Sequence, residues 1–340
     1  MSNNSNLHKA KKAKNDEFYT QLSDIENELR HYRDHFKGKV VYCNCDDARE
    51  SNFFKYFSMN FEFLGLKKLI ATGYKKDGHG VKLVYDGDRN GNRTVDDEEV
   101  KVEELEGDGD FRSEECVELL KQADIVVTNP PFSLASLYMQ QLIEHGKKFL
   151  IIGPLNLIKY KDTFPYFMKG QAWPGVNWVK SFTEPGGNVM KMGNVVWYTN
   201  LDHKKRHEKI VCIEKYDPAK YPKYDNYDAI NVDKVNDIPK DYDGVMGVPI
   251  TFLDKYNPEQ FEIVQFRKGE DGRDLAFTVE RENEWRRTSG CSYEEFEKKF
   301  PLRWQVSGNE RATVGGKLKY SRLFFRRRKP AGENAKTPAA

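Results

Sequence analysis

Apolar positions along this chain follow two patterns, short unbroken runs and stretches with helical spacing. Leu22, Ile25, Leu29 and Tyr32 recur every three or four residues, which predicts an amphipathic helix over 16–36, ended by Gly38. The run KVVYC at 39–43 predicts a strand, followed by the polar turn NCDD. ARESNFFKYFSMNF from 48 predicts a second helix, and LKKLIAT at 66–72 a second strand. Between 73 and 110 the alternation in VKLVYD and EVKVEEL predicts an acidic hairpin. SEECVELLKQA at 113–123 reads as a helix and DIVVT at 124–128 as a third core strand. LASLYMQQLIEHG reads as a helix ended by Gly146, and KFLIIG at 148–153 as a fourth strand closed by Pro154. Strands and helices in this rhythm predict a parallel sheet with both faces covered.

Beyond Pro154 the pattern turns β-rich, in VNWVKSF, GNVVWYTNL and EKIVCIEKY. Residues 216–243, rich in Tyr, Asp, Asn, Pro and Lys, read as a long connection, and 244–329 as a second region of mixed character. Residues 1–15 form a basic arm and 330–340 a polar tail, both expected to be disordered.

Composition adds limits. A chain of 340 residues is long enough for one large or two ordinary domains. Its net charge of +2 selects no partner, so the distribution of charge carries more. Five cysteines without a CxxC pair or zinc spacing point to thiols in a reducing cytoplasm rather than to a metal site. No apolar run approaches about 18 residues and the N-terminus is polar, so neither a membrane span nor a signal peptide is expected.

Two loops at strand ends carry candidate chemistry, because ligands of open parallel sheets bind outside the carboxyl ends of the strands. The loop after the first strand lacks a glycine-rich phosphate cradle, and its Asp46 and Asp47 suit a cationic or amine-bearing ligand. The other is Asn129-Pro130-Pro131-Phe132, after DIVVT. Its plainer reading is a strand terminator, since proline stops the ladder. Its chemical reading starts from the adenine amino group, a poor nucleophile because its lone pair is delocalised. Two rigid acceptors, the Asn129 side-chain oxygen and the Pro130 carbonyl, would draw that nitrogen towards tetrahedral geometry, with Phe132 stacked on the base. Pro131 restricts Pro130 to extended geometry and so fixes where its carbonyl points. No metal or covalent nucleophile is needed.

Other stretches offer candidate chemistry beside a plainer reading. DGDRNGNRTVDD at 86–97 nearly matches a calcium loop, but it ends in Asp97 rather than Glu and has strand-like flanks, so an acidic turn is expected. Trp197 or Tyr198 could cover the opposite face of such a base, the plainer alternative being a core tryptophan. Between Arg311 and Lys329 the chain is basic with no acids; Lys317, Lys319, Arg322, Arg326, Arg327 and Arg328 are candidate phosphate ligands, against a solvated edge strand. Arg267, Arg273, Arg286 and Arg287 are further candidates of the same kind.

In order along the chain, AKKAKNDEFYTQLSDIENELRHY, VVYCNCDD, SNFFKYF, NPPFS and VPITFLDKYNPEQFEIV resemble the EcoRI-type family of adenine-specific DNA methyltransferases, over roughly 5–330. The FYT, acidic and NPPF segments stand in the gamma-like order. The resemblance implies a Rossmann-like methyltransferase fold with a mixed, mainly parallel sheet over 16–215, and a C-terminal α+β DNA-binding region over 244–329. It implies S-adenosylmethionine as cofactor, with Phe18, Tyr19 and Thr20 flanking its methionine part. Asp46 and Asp47 would lie near its amino group or ribose, Asp110 would accept from its adenine amino group, and Phe111 would lie against its ring. Asn129, Pro130, Pro131 and Phe132 would hold the target adenine, flipped out of double-stranded DNA for methylation at N6. A cytoplasmic monomer is expected, with a restriction endonuclease acting separately as a possible companion. The chain departs from the wider pattern in lacking Phe-x-Gly-x-Gly after the first strand and an acid after the second, which leaves the ribose ligand open. Amino-methylation of cytosine or RNA, or a catalytically inactive DNA-binding protein on this scaffold, stand as alternatives.

Overall fold

The computed structural model describes residues 19–45, 47–75, 78–160, 162–183, 188–225, 227–265, 292 and 312–328. It divides into two compact units, Met1–Lys204 and Lys205–Ala340. The arm at 1–15 and the tail at 330–340 lie outside the described residues.

The first unit is built on one large mixed sheet. Its strands are β1 (Tyr19–Thr20), β2 (Val40–Cys43), β3 (Lys68–Gly73), β4 (Val81–Tyr85), β5 (Val100–Glu104), β6 (Ile125–Thr128), β7 (Lys148–Pro154), β8 (Trp173–Thr183) and β9 (Val189–Thr199). Among the described residues they lie in the order β1-β8-β9-β7-β6-β2-β3-β4-β5. β3, β2, β6 and β7 form a parallel centre. Every other pairing is antiparallel. "Mainly parallel" is therefore corrected to a parallel centre between antiparallel flanks. The acidic hairpin is present as β4 and β5.

Burial explains the unbroken apolar runs of the central strands. Val41, Cys43, Ile125, Val127, Leu150, Ile152, Val195 and Trp197 join one core on one face. Their neighbours Tyr42, Val126, Phe149, Ile151 and Tyr198 are equally buried and point to the other face. The first face is covered by α1 (Leu22–Leu29), α2 (Arg33–Phe36), α3 (Asn52–Met59) and α4 (Phe61–Leu64), whose Ile25, Leu29, Phe36, Phe53 and Phe57 join the same core. α5 (Glu114–Gln122) and α6 (Ala135–Glu144) pack on the sheet, and α7 (Phe164–Met168) is a single short turn.

Helix boundaries follow local chemistry. Ser51 caps α3 by accepting from the Phe53 amide, so that helix starts later than its sequence suggests. Gly65, at φ 62°, ends α4 in the left-handed region. The helix expected over 16–36 is broken after Leu29, and Tyr32 leaves helical geometry at φ −123° and ψ 12°. Its hydroxyl then donates to Glu28 Oε1 at 2.8 Å. Glu28 is fully buried and also accepts from the amides of Val176 at 2.8 Å and Asn177 at 2.7 Å, and from Asn177 Nδ2 at 3.0 Å. These amides sit where the register of β8 against β9 shifts, between Pro174 and Trp178. One carboxylate thus satisfies donors that the irregular strand withdraws from its ladder, and it fastens α1 to β8.

The second unit holds a sheet of β10 (Ile230–Asn231), β11 (Met246–Pro249), β12 (Phe261–Gln265) and β15 (Arg322–Arg327), in the order β10-β11-β15-β12, beside a hairpin of β13 (Thr313–Val314) and β14 (Lys317–Leu318). Phe252 stacks on Phe325 with ring centroids 4.4 Å apart, and Phe261 meets Phe325 edge-on. No α-helix occurs among this unit's described residues. Residues 216–243, read as connection, fall inside this unit and supply β10. EKIVCIEKY, expected as a strand, is not one. The Gln260 side-chain amide pairs with both the N–H and the C=O of Ile210, at 2.9 and 2.7 Å, and Val211 and Ile213 are exposed. No helix among the described residues is long and apolar enough to cross a membrane.

Candidate active site

Strand order places a crevice before any side chain is considered. β2 has β3 on one side and β6 on the other, so the chain turns one way after β2 and the opposite way afterwards. At such a switch point the loops at the carboxyl ends part and leave room for a ligand. The loops at this point are the one after Cys43 and Asn129-Pro130-Pro131-Phe132 after Thr128.

The first loop turns sharply. Cys45 adopts φ 74°, a left-handed conformation that non-glycine residues seldom hold. Asn44 is buried, its carbonyl accepts from Thr128 Oγ1, and its Oδ1 accepts from Tyr138 on α6. Asp47 is exposed, and its Oδ1 takes the Arg49 amide at 2.9 Å, fixing the turn into α3. Asp46 lies outside the described residues.

The NPPF corner has a buried Asn129 and a half-buried Phe132. The Pro131 carbonyl accepts from the Leu134 amide at 2.8 Å, which turns the chain into α6. The Phe132 ring meets Phe182 of β8 edge-on, centroids 6.0 Å apart. Phe182 is the register partner of Thr20 in β1. The Thr20 carbonyl accepts from Asn52 Nδ2 at 2.8 Å, at the start of α3. Thr20 is buried, and its Oγ1 has no hydrogen-bond partner among the described residues. Tyr19 is half-buried beside it, and Phe18 lies outside the described residues.

The Asp110–Phe111 loop rests against the end of β3. Asp108 accepts the Lys75 amide at 2.8 Å, and Gly107 accepts the Gly80 amide at 2.8 Å. Gly109 sits at φ 82° with its α-carbon packed on the Gly73 carbonyl, where any Cβ would collide. Asp110 accepts from the amide and Nε of Arg112, both at 2.8 Å. That bonding holds its carboxyl below the usual aspartate range, against an opposing push from burial. Phe111 is buried edge-on against Tyr138 at 4.9 Å, and its carbonyl accepts from Gln141 Nε2 at 3.2 Å.

Four segments far apart in the sequence are thus linked: Tyr19–Thr20 through Asn52 and Phe182, the Asn44 loop through Thr128, Asp110–Phe111 through Tyr138, and the NPPF corner itself. Nothing local in the sequence marks the linking residues Asn44, Asn52, Tyr138, Gln141 and Phe182. Their apolar or amide character reads as core or cap until contacts are seen.

Trp197 is corrected from base-stacking plate to core. It is fully buried and edge-on to Phe53 at 6.1 Å. Tyr198 is fully buried too, because both faces of β9 are covered, and its hydroxyl donates to the Pro154 carbonyl at 3.0 Å.

The basic segment of the second unit is largely committed internally. Arg322 is buried and ion-paired to Asp233 at 2.9 Å, so its guanidinium is not presented to a phosphate. Lys319 meets Asp233 at 3.2 Å and Arg326 meets Glu262 at 2.9 Å. Arg327 and Arg328 donate to the carbonyls of Pro239 and Pro258. Lys317 stands exposed on β14. Arg267, Arg273, Arg286 and Arg287 lie outside the described residues. In the 86–97 stretch, Asp88 accepts the amides of Gly91 and Arg93, and Asp96 accepts from Asn90, Asn92 and Thr94. Its carboxylates organise their own turn.

Residues 6–328 match the model of the family described as adenine-specific methyltransferase EcoRI. The chain is 50% identical over 298 residues to the Type II methyltransferase M.EcoRI of Escherichia coli, covering 79% of this chain and 91% of that protein. It is 41% identical over 279 residues to the Type II methyltransferase M.MgeORF184P of Mycoplasma genitalium, covering 76% and 85% of the two. Over 282 residues it is also 41% identical to M.MpnI of Mycoplasma pneumoniae, covering 76% and 84%. No solved structure matches. With the family's model matched along nearly all of its length, the chain belongs to the EcoRI family of adenine-specific methyltransferases.

Proposed function

We propose that this DNA adenine methyltransferase takes its methyl group from S-adenosylmethionine and delivers it to N6 of an adenine turned out of duplex DNA. The carrying observation is the convergence of four segments on the switch point beside Asn129. The donor set suits the cofactor. Thr20 Oγ1, buried without a partner among the described residues, and the carboxylates of Asp47 and Asp110 match a ligand with an ammonium, ribose hydroxyls and an adenine amino group. Tyr19, Thr20 and Asp47 would take its amino-acid and ribose end, Asp110 and Phe111 its purine. When bound, S-adenosylmethionine supplies a methyl group activated on a sulfonium.

The protein's own part is position. The Asn129 side-chain oxygen and the Pro130 carbonyl accept the two amino hydrogens of the target base, and diproline stiffness keeps those acceptors aimed. Phe132 lies against the base, and stacking of this kind contributes about 1–3 kcal/mol. That offsets part of the few kcal/mol needed to unstack the base. Holding nitrogen and methyl in line accounts for most of the acceleration. After transfer, the nitrogen's extra proton is acidic enough to leave to water, so no dedicated base is required.

Contact with double-stranded DNA is assigned to the second unit's basic segment, with Lys317 outward and Arg322 kept as a structural ion pair. Monomeric action, with a restriction endonuclease working separately, belongs to the same proposal. The test is Asn129→Ala. Methyl transfer should fall by about 10²-fold or more, while calorimetry shows cofactor affinity within about threefold. Turnover within about tenfold of the parent would refute the role of the corner.

A further inference from the structure

α6 begins directly after the NPPF corner and carries a residue that reaches the cofactor side of the crevice. Tyr138 is fully buried, its ring edge-on to Phe111 with an interplanar angle of 86° and its hydroxyl donating to Asn44 Oδ1. A phenylalanine would fill the same volume, so packing alone does not explain the hydroxyl. A buried hydroxyl is tolerated only where it is bonded, and here its acceptor is the first residue after β2. The carbonyl of the same Asn44 accepts from Thr128 Oγ1, one residue before Asn129. Asn44 is therefore gripped twice, once from the strand that presents Asn129 and once from the helix that follows Phe132. Cys45, next in the chain, holds φ 74°, a conformation that persists only where its surroundings fix it. One turn further along α6, Gln141 holds the Phe111 carbonyl.

We propose that Tyr138 is a positioning residue: through Asn44 it locks the loop beside the cofactor to the corner that holds the target base, so that both parts keep one register. The proposal rests on the functional reading of those loops given above. Neither Tyr138 nor Thr128 touches the reacting atoms. Their contribution is to the alignment of Asn129 with the methyl donor, which is reached only when both ligands are in place. Loss of the bonds should therefore appear in kcat more than in DNA binding, and secondarily in cofactor affinity.

The test uses the full chain with Tyr138→Phe, Thr128→Val and the double variant. Tyr138→Phe keeps the ring against Phe111 and should lower Tm by only about 2–4 °C. Well below that Tm, kcat should fall about 10–50-fold, the range expected when reacting groups are misplaced by a fraction of an ångström. The cofactor Kd should rise about 3–10-fold and the DNA Kd stay within about twofold. Thr128→Val should behave similarly, and the double variant should be at most about twofold worse than the poorer single, because both act through Asn44. A kcat within twofold of the parent in Tyr138→Phe overturns the proposal, as do losses in the two singles that multiply in the double. Should Tyr138→Phe fail to fold, the kcat of Thr128→Val decides alone: a 10-fold fall supports the lock and parental turnover refutes it. Asn129→Ala, assayed alongside, separates the failures. If it still turns over, the reading of the corner is wrong; if it is dead while Tyr138→Phe is fully active, only the lock is wrong.

Discussion

Glu28→Gln removes one charge and changes no volume, at a point where the first unit is fastened together. The carboxylate accepts from Tyr32, Val176, Asn177 and the Asn177 side chain. A glutamine keeps one acceptor oxygen and turns an amide NH2 towards two of those donors. Hydrogen bonds to a charged group contribute about 1.5–3 kcal/mol each, and leaving a buried donor unsatisfied costs about 1–3 kcal/mol. Against this, the variant is relieved of burying a charge, a penalty of several kcal/mol per ion. The net expectation is a loss of about 2–4 kcal/mol at neutral pH. Burial pushes the Glu28 pKa up, with the four hydrogen bonds opposing. The native state therefore holds this proton more tightly than the unfolded chain. That share of stability is complete below the ordinary glutamate value of about 4.3 and is lost as pH rises through the raised value. Because glutamine does not titrate, the gap between parent and variant should widen as pH is lowered. Urea unfolding between about pH 5 and 8, with hydrogen exchange at the Val176 and Asn177 amides, reads both effects. A variant within about 1 kcal/mol of the parent, with those amides equally protected, would refute the assignment of Glu28 as the fastener of α1 to β8.

Three further outcomes follow from the site. Gly109→Ala places a Cβ on the Gly73 carbonyl at a φ of 82°; stability should fall by about 2 kcal/mol or more and cofactor affinity about tenfold, and unchanged calorimetry would contradict this. Thr20→Val removes a hydroxyl with no hydrogen-bond partner among the described residues, so cofactor binding should weaken about 5–10-fold with Tm essentially unmoved; a fall in Tm without loss of affinity would show that the hydroxyl serves the fold. Arg112 bonds hold Asp110 low, so its contribution to stability is present above the unfolded value of about 3.9 and disappears as pH falls through the lower folded value. In Arg112→Leu the Asp110 carboxyl resonance should titrate at higher pH, and an unshifted titration would remove Arg112 as the cause.

Much of the frame is legible in the chain itself. DIVVT and FLIIG are unbroken apolar runs because β6 and β7 are covered on both faces, and the alternation of VKLVYD matches a hairpin at the sheet's margin. β8 is less legible. Pro174 and Gly175 mask its start, and its irregularity is resolved by a carboxylate about 150 residues away. EKIVCIEKY shows that an apolar run need not make a ladder: no strand pairs with it among the described residues. At the site, NPPF and FYT stand out because stiff or aromatic motifs have local signatures. Asn44 and Tyr138 do not, because what matters is which distant groups they meet. Arg322 misleads for the converse reason: a basic run gives no sign that one of its members turns inward to Asp233.

The central claim is that Asn129 and its loop direct a methyl group to N6 of adenine in duplex DNA. The most direct measurement is to methylate unmodified DNA of mixed sequence with the purified chain and S-adenosylmethionine, then map modified bases by long-read sequencing and digest the product for mass analysis. N6-methyladenine confined to one short sequence, absent with Asn129→Ala, is the expected result. N4-methylcytosine, or no base modification from a chain that binds the cofactor, would contradict the account.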